Sequence, residues 1–308
     1  MSAENDEEKS RCANCGASEG KDTKLKTCTG CKSVKYCSVI CQKEHRPKHK
    51  GACRARAAEL KDEILFKQPE QNHLGDCPIC FLPLPLDMKT SILTHCCGKI
   101  LCHGCCIANQ KREAVEKLVK KCPFCRTPAP KSIAEDHEIA KERARKGNDP
   151  MVLSQIGIRY NKAGNCQRAL ELLTKAADLG DAPAHYEIAG MYVLGYGVEK
   201  NESKQLHHYE QATILGHADA RYDLGVMEWN KGRHERAIKH WTIAANFGQN
   251  FSLERLKMAY QIELISKDDF AAALRAHKAA IDATKSPHRE EAARLKAAGG
   301  DKQWRLRR

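Results

Sequence analysis

Residues 181–192 read DAPAHYEIAGMY, and this pattern returns along the chain. DPMVLSQIGIRY occupies residues 149–160, HADARYDLGVME occupies 217–228, and a weaker QNFSLERLKMAY occupies 249–260. The starts lie about 32 to 36 residues apart, and self-similarity at such a period is typical of stacked structural repeats. The pattern therefore predicts a chain whose C-terminal half is an array of helical units.

Each unit predicts two short helices. Small and aromatic residues fall at helical spacing in the first helix of a unit, and the second helix reads RALELLTKAADLG at 168–180 or RAIKHWTIAANFG at 236–248. Gly180, Gly216 and Gly248 predict left-handed ends of the second helices. Residues 149–281 resemble the SEL1-like repeat, a relative of the tetratricopeptide repeat, which implies an α-solenoid with a concave binding face.

The composition indicates that the rest of the chain depends on metal. All but one of the 17 cysteines lie before residue 126, and only 6% of the 308 residues are aromatic. The N-terminus is acidic and polar, and no stretch approaches the ~20 apolar residues of a membrane span. We therefore expect an intracellular protein, cytoplasmic or nuclear, with no membrane association. In a reducing compartment, closely paired cysteines indicate metal ligands rather than disulfides.

The net charge of +13 lies mostly outside the repeats. Residues 149–281 contain equal numbers of basic and acidic side chains, whereas basic clusters surround Lys48 and end the chain at Arg308. Such clusters can contact phosphate, but few aromatic residues accompany them for base stacking. A solvated basic surface is the simpler interpretation, and nucleic acid is an unlikely partner.

The first cysteine-rich segment carries eight candidate ligands. They form the pairs Cys12 and Cys15, Cys28 and Cys31, Cys37 and Cys41, and His49 and Cys53. Eight ligands suffice for two tetrahedral zinc sites, and the segment has too few apolar residues to fold without metal. The spacing also predicts that each of the last two pairs shares one face of a helical turn.

Residues 12–53 resemble the MYND-type zinc finger, including the Tyr36-Cys37 pair, the Cys41-Gln42 pair and the terminal histidine and cysteine. The resemblance implies that one zinc is held by Cys12, Cys15, Cys37 and Cys41, and the other by Cys28, Cys31, His49 and Cys53. It also implies a module that binds proline-containing peptides of partner proteins. His45 is interpreted as a packing or surface residue, and no SET-type methyltransferase domain follows.

The second segment begins with Cys77-Pro78-Ile79-Cys80, continues with HCCGKILCHGCC at 95–106, and ends with Cys122-Pro123-Phe124-Cys125-Arg126. It resembles a RING finger, which implies that one zinc is held by Cys77, Cys80, Cys102 and Cys105. Cys122 and Cys125 then need a middle pair for the second zinc. Lys99 stands where the usual pattern has histidine, and a protonated amine cannot ligate zinc. Cys97 with either Cys96 or His95 must supply the pair, and we favour Cys96.

A RING finger positions a ubiquitin-charged E2 conjugating enzyme so that a substrate lysine attacks the thioester, which is catalysis by positioning. The resemblance assigns contact with conjugating enzyme and ubiquitin to Ile79, Pro123 and Arg126. Packing within the zinc-binding turns would also explain Ile79 and Pro123, and a solvated charge would also explain Arg126. The functional hypothesis is a zinc-dependent E3 ubiquitin ligase whose other modules bind substrate or adaptor proteins. The alternative is a non-catalytic zinc-binding scaffold for protein interaction. His103, Cys106, Cys166, His207 and His208 are interpreted as non-ligands.

The predicted architecture is mainly α, with two small zinc-stabilised cross-brace modules followed by an α-solenoid of helical hairpins and four zinc ions in all. The predicted divisions run along the chain as a disordered N-terminus (1–11), a MYND-type finger (12–53), a helical connector (54–76), a RING-type finger (77–126), a linker (127–148), SEL1-like repeats (149–281) and a basic C-terminal tail (282–308).

Overall fold

A computed structural model of the chain describes residues 11–20, 23–147 and 149–298. The chain forms two compact units, Met1–Lys67 and Gln68–Arg308. Residues 1–10 of the predicted disordered N-terminus and 299–308 of the predicted basic tail lie outside the described residues. Among the described residues no helix is both long and apolar enough to cross a membrane.

The first unit is a small cysteine-rich fold with one long helix. Strands β1 (Lys26–Thr27) and β2 (Lys35–Tyr36) pair antiparallel, and helix α1 (Val39–Leu65) follows. The Ser38 hydroxyl caps α1 by accepting the backbone N–H of Cys41, as a serine at this position commonly does.

Helix α1 bears on two of the predictions. It begins inside the predicted finger and runs to Leu65, so the first part of the predicted helical connector 54–76 continues this helix. Cys37 precedes the Ser38 cap, so only Cys41 of that pair is helical and the shared helical turn predicted for the pair is wrong. The reason is local: the serine hydroxyl satisfies a free helical N–H, so the helix starts at Val39, two residues after Cys37.

The second unit begins with a cysteine-rich hairpin. A short 3-10 helix, Met88–Thr90, leads into the antiparallel strands β3 (Ser91–Thr94) and β4 (Lys99–Cys102), in which Ser91 lies opposite Cys102. Helix α2 (His103–Val115) starts directly after the hairpin. Leu74, Leu84 and Ile100 pack against metal-ligand cysteines and form the small apolar core of this part.

Four helical hairpins follow, and the chain is mainly helical. The first helix of each pair packs closely on the second, and successive pairs stack, which is the solenoid predicted for 149–281. The pairs are α4 (Pro150–Lys162) with α5 (Cys166–Asp178), α6 (Ala182–Leu194) with α7 (Glu202–Ile214), α8 (Ala218–Asn230) with α9 (His234–Ala245), and α10 (Asn250–Gln261) with α11 (Lys267–Ala283).

The repeated sequence positions have clear local roles. The residue that opens each repeat caps its first helix by accepting a backbone N–H three residues later, and these caps are Asp149, Asp181, His217 and Gln249. The glycines that precede three of them have φ angles near +85°, which confirms the predicted left-handed helix ends. Residues within each repeat therefore set where its helices begin and end.

Small residues let the helices of a pair approach closely. A Cβ added to Gly225 in α8 would lie 2.3 Å from the Trp241 indole nitrogen, whereas one added to Gly190 in α6 would meet nothing within 4 Å. Trp241 of α9 is almost fully buried against α8, and its indole N–H donates to the carbonyl of Tyr222. The glycine therefore provides the space for the indole.

Two predicted connecting segments form packed helices. The predicted linker 127–148 contains α3 (Ile133–Lys146), whose Ala140 is 1% exposed in one core with Val152 and Leu173 of the repeats. The predicted tail 282–308 contains α12 (Pro287–Ala297), which packs on α2. The sequences of both segments are mostly polar because each helix buries only a narrow face of small side chains.

Candidate metal centres

Four clusters of cysteine and histidine side chains fit zinc ions. Within each cluster, all four candidate ligand atoms lie within 4.8 Å of one another. Sulfur atoms at tetrahedral corners about 2.3 Å from a zinc are about 3.8 Å apart. The recorded sulfur pairs are 3.4–4.0 Å apart, far from the about 2.0 Å of a disulfide. The clusters comprise Cys12, Cys15, Cys37 and Cys41; Cys28, Cys31, His49 and Cys53; Cys77, Cys80, Cys102 and Cys105; and Cys96, Cys97, Cys122 and Cys125.

Hydrogen bonding and burial shift the pKa values of the thiols within a cluster in opposite directions. The hydrogen bond with Cys102 lowers the pKa of the Cys77 thiol to about 4. Burial raises the pKa of Cys105 to about 12. Zinc would stabilise all four as thiolates, since the metal favours the charged form of every ligand. The donor set is therefore suited to a divalent cation.

One cysteine pair in each cluster is held by the same backbone turn. In the segments 12–15, 28–31, 77–80 and 122–125 the residue after the second cysteine has a φ angle between 55° and 76° and donates its backbone N–H to the carbonyl of the first cysteine, at 2.8–3.0 Å. This turn points both sulfur atoms to one side. The four residues in that position are Gly16, Lys32, Phe81 and Arg126.

In the first unit, an aromatic cluster supports the histidine ligand candidate. The Nε2 atom of His49 lies 3.2 Å from the sulfur of Cys31. His45 stacks on His49 with ring centroids 5.5 Å apart, and its Nδ1 lies 3.0 Å from the Tyr36 hydroxyl. His45 is thus a packing partner of His49 and lies outside the cluster, as interpreted from the sequence.

In the second unit, the tight turn at the tip of the β3–β4 hairpin separates His95 from the following cysteines. Cys96 lies 3.4 Å from Cys125, and Cys97 lies 4.0 Å from Cys122, measured between sulfur atoms. His95 points elsewhere, and its Nδ1 is 2.8 Å from the Asp136 carboxylate of α3. Of the two alternatives left open by the sequence, the structure brings Cys96 into the cluster and places His95 outside it.

Helix α3 binds the same turn through Arg143. Its guanidinium donates to the carbonyls of Cys96 and Cys97, at 3.2 and 3.1 Å, and to the Asp149 carboxylate at 2.7 Å. Gly98 makes this possible: its φ is +67°, and a Cβ there would lie 1.8 Å from an Asp149 oxygen. Asp149 also caps α4, so one hydrogen-bonded chain runs from the second cluster to the repeats.

The residues assigned to ubiquitin transfer are exposed to different degrees. Ile79 is 36% exposed, Pro123 is partly buried, and Arg126 is exposed. Among the described residues no hydrogen bond or ion pair is recorded for the Arg126 guanidinium. Ile79 lies in the turn between Cys77 and Cys80 of one cluster. Pro123 lies in the turn between Cys122 and Cys125 of another cluster, and Arg126 directly follows that turn.

The remaining candidates lie outside the clusters. Cys106 lies on the buried face of α2, and Cys166 packs against Gly197 in the repeats. His208 forms a group with His185, whose Nδ1 lies 3.0 Å from its own. Sequence reasoning did not find the roles of Asp136 and Arg143 at this turn, because Asp136 contacts His95 from 41 positions away and Arg143 contacts the backbone carbonyls of Cys96 and Cys97, which carry no sequence signal.

Comparison with known proteins supports part of this picture. The family model of the MYND finger matches residues 12–53. Tripartite motif-containing protein 5 of Pongo pygmaeus and that of Pongo abelii are each 35% identical over 65 residues, 21% of this chain. The chain spans only 12% of the length of these two relatives.

Solved structures with similar helical arrays cover about half of this chain. A Sel1 repeat protein from Oxalobacter formigenes is 27% identical with a TM-score of 0.42, over 50% of this chain and 66% of its own. The protective antigen c5321 of uropathogenic Escherichia coli, which has an SLR fold, is 20% identical with a TM-score of 0.39, over 55% of this chain and 37% of its own.

The four clusters and the match of the MYND-finger model over residues 12–53 agree in their chemistry. The chain is therefore a zinc-binding protein that contains a MYND finger and a helical solenoid.

Proposed function

We propose that the chain is a RING-type E3 ubiquitin ligase, in which residues 77–126 position a ubiquitin-charged conjugating enzyme. The MYND finger (12–53) and the repeats (149–281) bind substrate or adaptor proteins. The sixteen side chains of the four clusters hold four zinc ions and set the shape of the modules.

The observation that carries the proposal is the exposed guanidinium of Arg126, directly after the last cysteine of residues 77–126. Its φ angle is +64°, in the left-handed region where a non-glycine residue costs roughly 1–2 kcal/mol. Lys32 and Phe81 adopt the same conformation in the equivalent turns, so the conformation belongs to the turn. The position and exposure of the Arg126 side chain therefore support its use outside the folded chain.

The chemistry of a guanidinium suits that use. Its planar set of donors can bind carbonyl or carboxylate groups of conjugating enzyme and ubiquitin together, which restrains the thioester for attack. Ile79, on the knuckle of the other cluster, offers an apolar anchor for the conjugating enzyme. Ubiquitin discharge therefore depends on Arg126, whereas docking depends on Ile79.

The test is discharge of a ubiquitin thioester from a panel of charged conjugating enzymes to free lysine, with binding measured in parallel. Arg126→Gly removes the side chain and suits the backbone, so it should keep zinc and stability while slowing discharge at least tenfold. Ile79→Ala should weaken docking by about 1–3 kcal/mol, as expected for an interface anchor.

Lys32→Gly is the matched control, because Lys32 is exposed in the same turn of the MYND finger. It should leave discharge unchanged. Absence of discharge with every conjugating enzyme tried, or equal rates for the parent and Arg126→Gly, would favour the scaffold without ligase activity.

A further inference from the structure

The C-terminal helix α12 packs against the RING-like module at a very close approach. A Cβ added to Gly104 in α2 would lie 2.8 Å from the backbone nitrogen of Arg289. Ala292, one turn later, is 6% exposed, and Lys111 of α2 forms an ion pair with Glu291. The absence of a side chain at Gly104 and the small one at Ala292 allow this contact.

Arg289 extends from α12 into the first cysteine cluster of that module. One of its terminal nitrogens donates to the carbonyls of Pro83 and Thr284, at 2.6 and 2.7 Å. The other donates to the carbonyl of Leu82 at 3.0 Å and to the sulfur of Cys80 at 3.4 Å. The guanidinium thus binds the loop after Cys80 and the sulfur itself.

The sulfur atoms of this cluster have different surroundings. The sulfur of Cys77 accepts the backbone N–H of Cys102 at 3.5 Å, and the sulfur of Cys102 accepts that of Cys105 at 3.4 Å. The sulfur of Cys80, which is only partly buried, instead accepts a hydrogen bond from the charged guanidinium of Arg289. Arg289 lies more than two hundred positions later in the sequence.

A cation beside this sulfur has a direct electrostatic effect. Four thiolates around a divalent ion leave a net charge of about −2, which is costly away from bulk water. A charge-assisted hydrogen bond stabilises the thiolate and disfavours its protonation or attack on it. Partners of this kind around a metal ligand commonly change metal affinity by about 10–100-fold.

We propose that Arg289 is a positioning residue of the first zinc site in residues 77–126. It holds the Cys80 thiolate on the metal and covers its sulfur, so the C-terminal helix is a functional part of that site. This role does not depend on ubiquitin-ligase activity.

The test is zinc release to a chromogenic chelator from the full-length, zinc-loaded chain, with cysteine alkylation mapped by mass spectrometry. Arg289→Met keeps the aliphatic part of the side chain and removes the donors, so one of the four ions should leave about tenfold faster and Cys80 should be alkylated first. Arg289→Lys keeps the charge without the planar donor set and should give an intermediate rate. Arg294→Met, an exposed site on the same helix, is the control.

Gly104→Ala offers a second route, because the added methyl group displaces α12. It should expose Cys80 in the same way, and adding Arg289→Met should then have little further effect. Equal Cys80 alkylation in Arg289→Met and Arg294→Met would overturn the proposal. Faster release of all four ions together with loss of helical circular dichroism would also overturn it, since that result indicates general unfolding.

Discussion

Replacing Arg143 with glutamine should loosen the second zinc cluster of residues 77–126 from the repeats. The substitution removes hydrogen bonds to the carbonyls of Cys96 and Cys97 and an ion pair with Asp149. Asp149 keeps its role as the cap of α4, because that bond uses its other oxygen. The substitution therefore removes the contacts that join the second zinc cluster to the repeats, and it leaves the contacts within the cluster and within the repeats in place.

The contacts set the expected size of the effect. Two hydrogen bonds from a charged group contribute about 1.5 kcal/mol each, taking the low end because the Arg143 side chain is 35% exposed. The ion pair adds about 0.5–1 kcal/mol, and release of the ordered arginine side chain returns about 1–2 kcal/mol. The free energy of unfolding should fall by about 1.5–3 kcal/mol, or roughly 3–12 °C in Tm for a unit of this size.

Chemical denaturation followed by circular dichroism measures the loss of stability, and zinc release to a chelator measures the effect on the cluster. Arg145→Gln is the matched control, because Arg145 lies on the same helix and its side chain is 71% exposed. It should change neither quantity beyond experimental error. If the two variants lose equal stability, the link through Arg143 does not stabilise the protein as inferred.

Three further predictions concern zinc, pH and packing. Elemental analysis should find four zinc ions per chain, and Cys97→Ser should release one of them whereas Lys99→Ala should not, because an ammonium group cannot bind zinc. Burial lowers the pKa of His217 from 6.5 to about 3, so its contribution to stability is present above about pH 6.5 and is lost as the pH falls toward 3. The variant His217→Asn keeps a capping side chain and should lose stability less steeply with acid in parallel melts; equal slopes would contradict this. Gly225→Ala should cost about 1–3 kcal/mol by overpacking, whereas Gly190→Ala should be neutral or slightly stabilising; denaturant midpoints that rank them otherwise would refute the packing argument.

Local chemistry explains why much of the fold could be predicted from the sequence. The residues that open and close each repeat act within three positions of themselves, as the caps Asp181 and His217 do, so their pattern alone predicts the helices. Closely spaced cysteines likewise indicate zinc, because two ligands in one turn are a local arrangement. The helical repeats and the zinc requirement were therefore visible in the sequence, whereas the roles of Ile79, Pro123 and Arg126 stay predictions.

The remaining features depend on partners far apart in sequence. His95 and Cys96 are adjacent and both able to bind zinc, and the choice between them follows from Asp136 on α3, which attracts the histidine away from the cluster. Arg289 contacts Cys80 and backbone carbonyls from the other end of the chain. A sequence pattern shows periodicity and the spacing of side chains. It does not show which backbone carbonyl a side chain will contact, because every residue has one, and it does not show which distant carboxylate will pair with a histidine, because their separation along the chain follows no rule. Periodicity and spacing therefore specify the repeats and the zinc chemistry, whereas the packing of α3 and α12 determines how the cysteine-rich residues 77–126 are held.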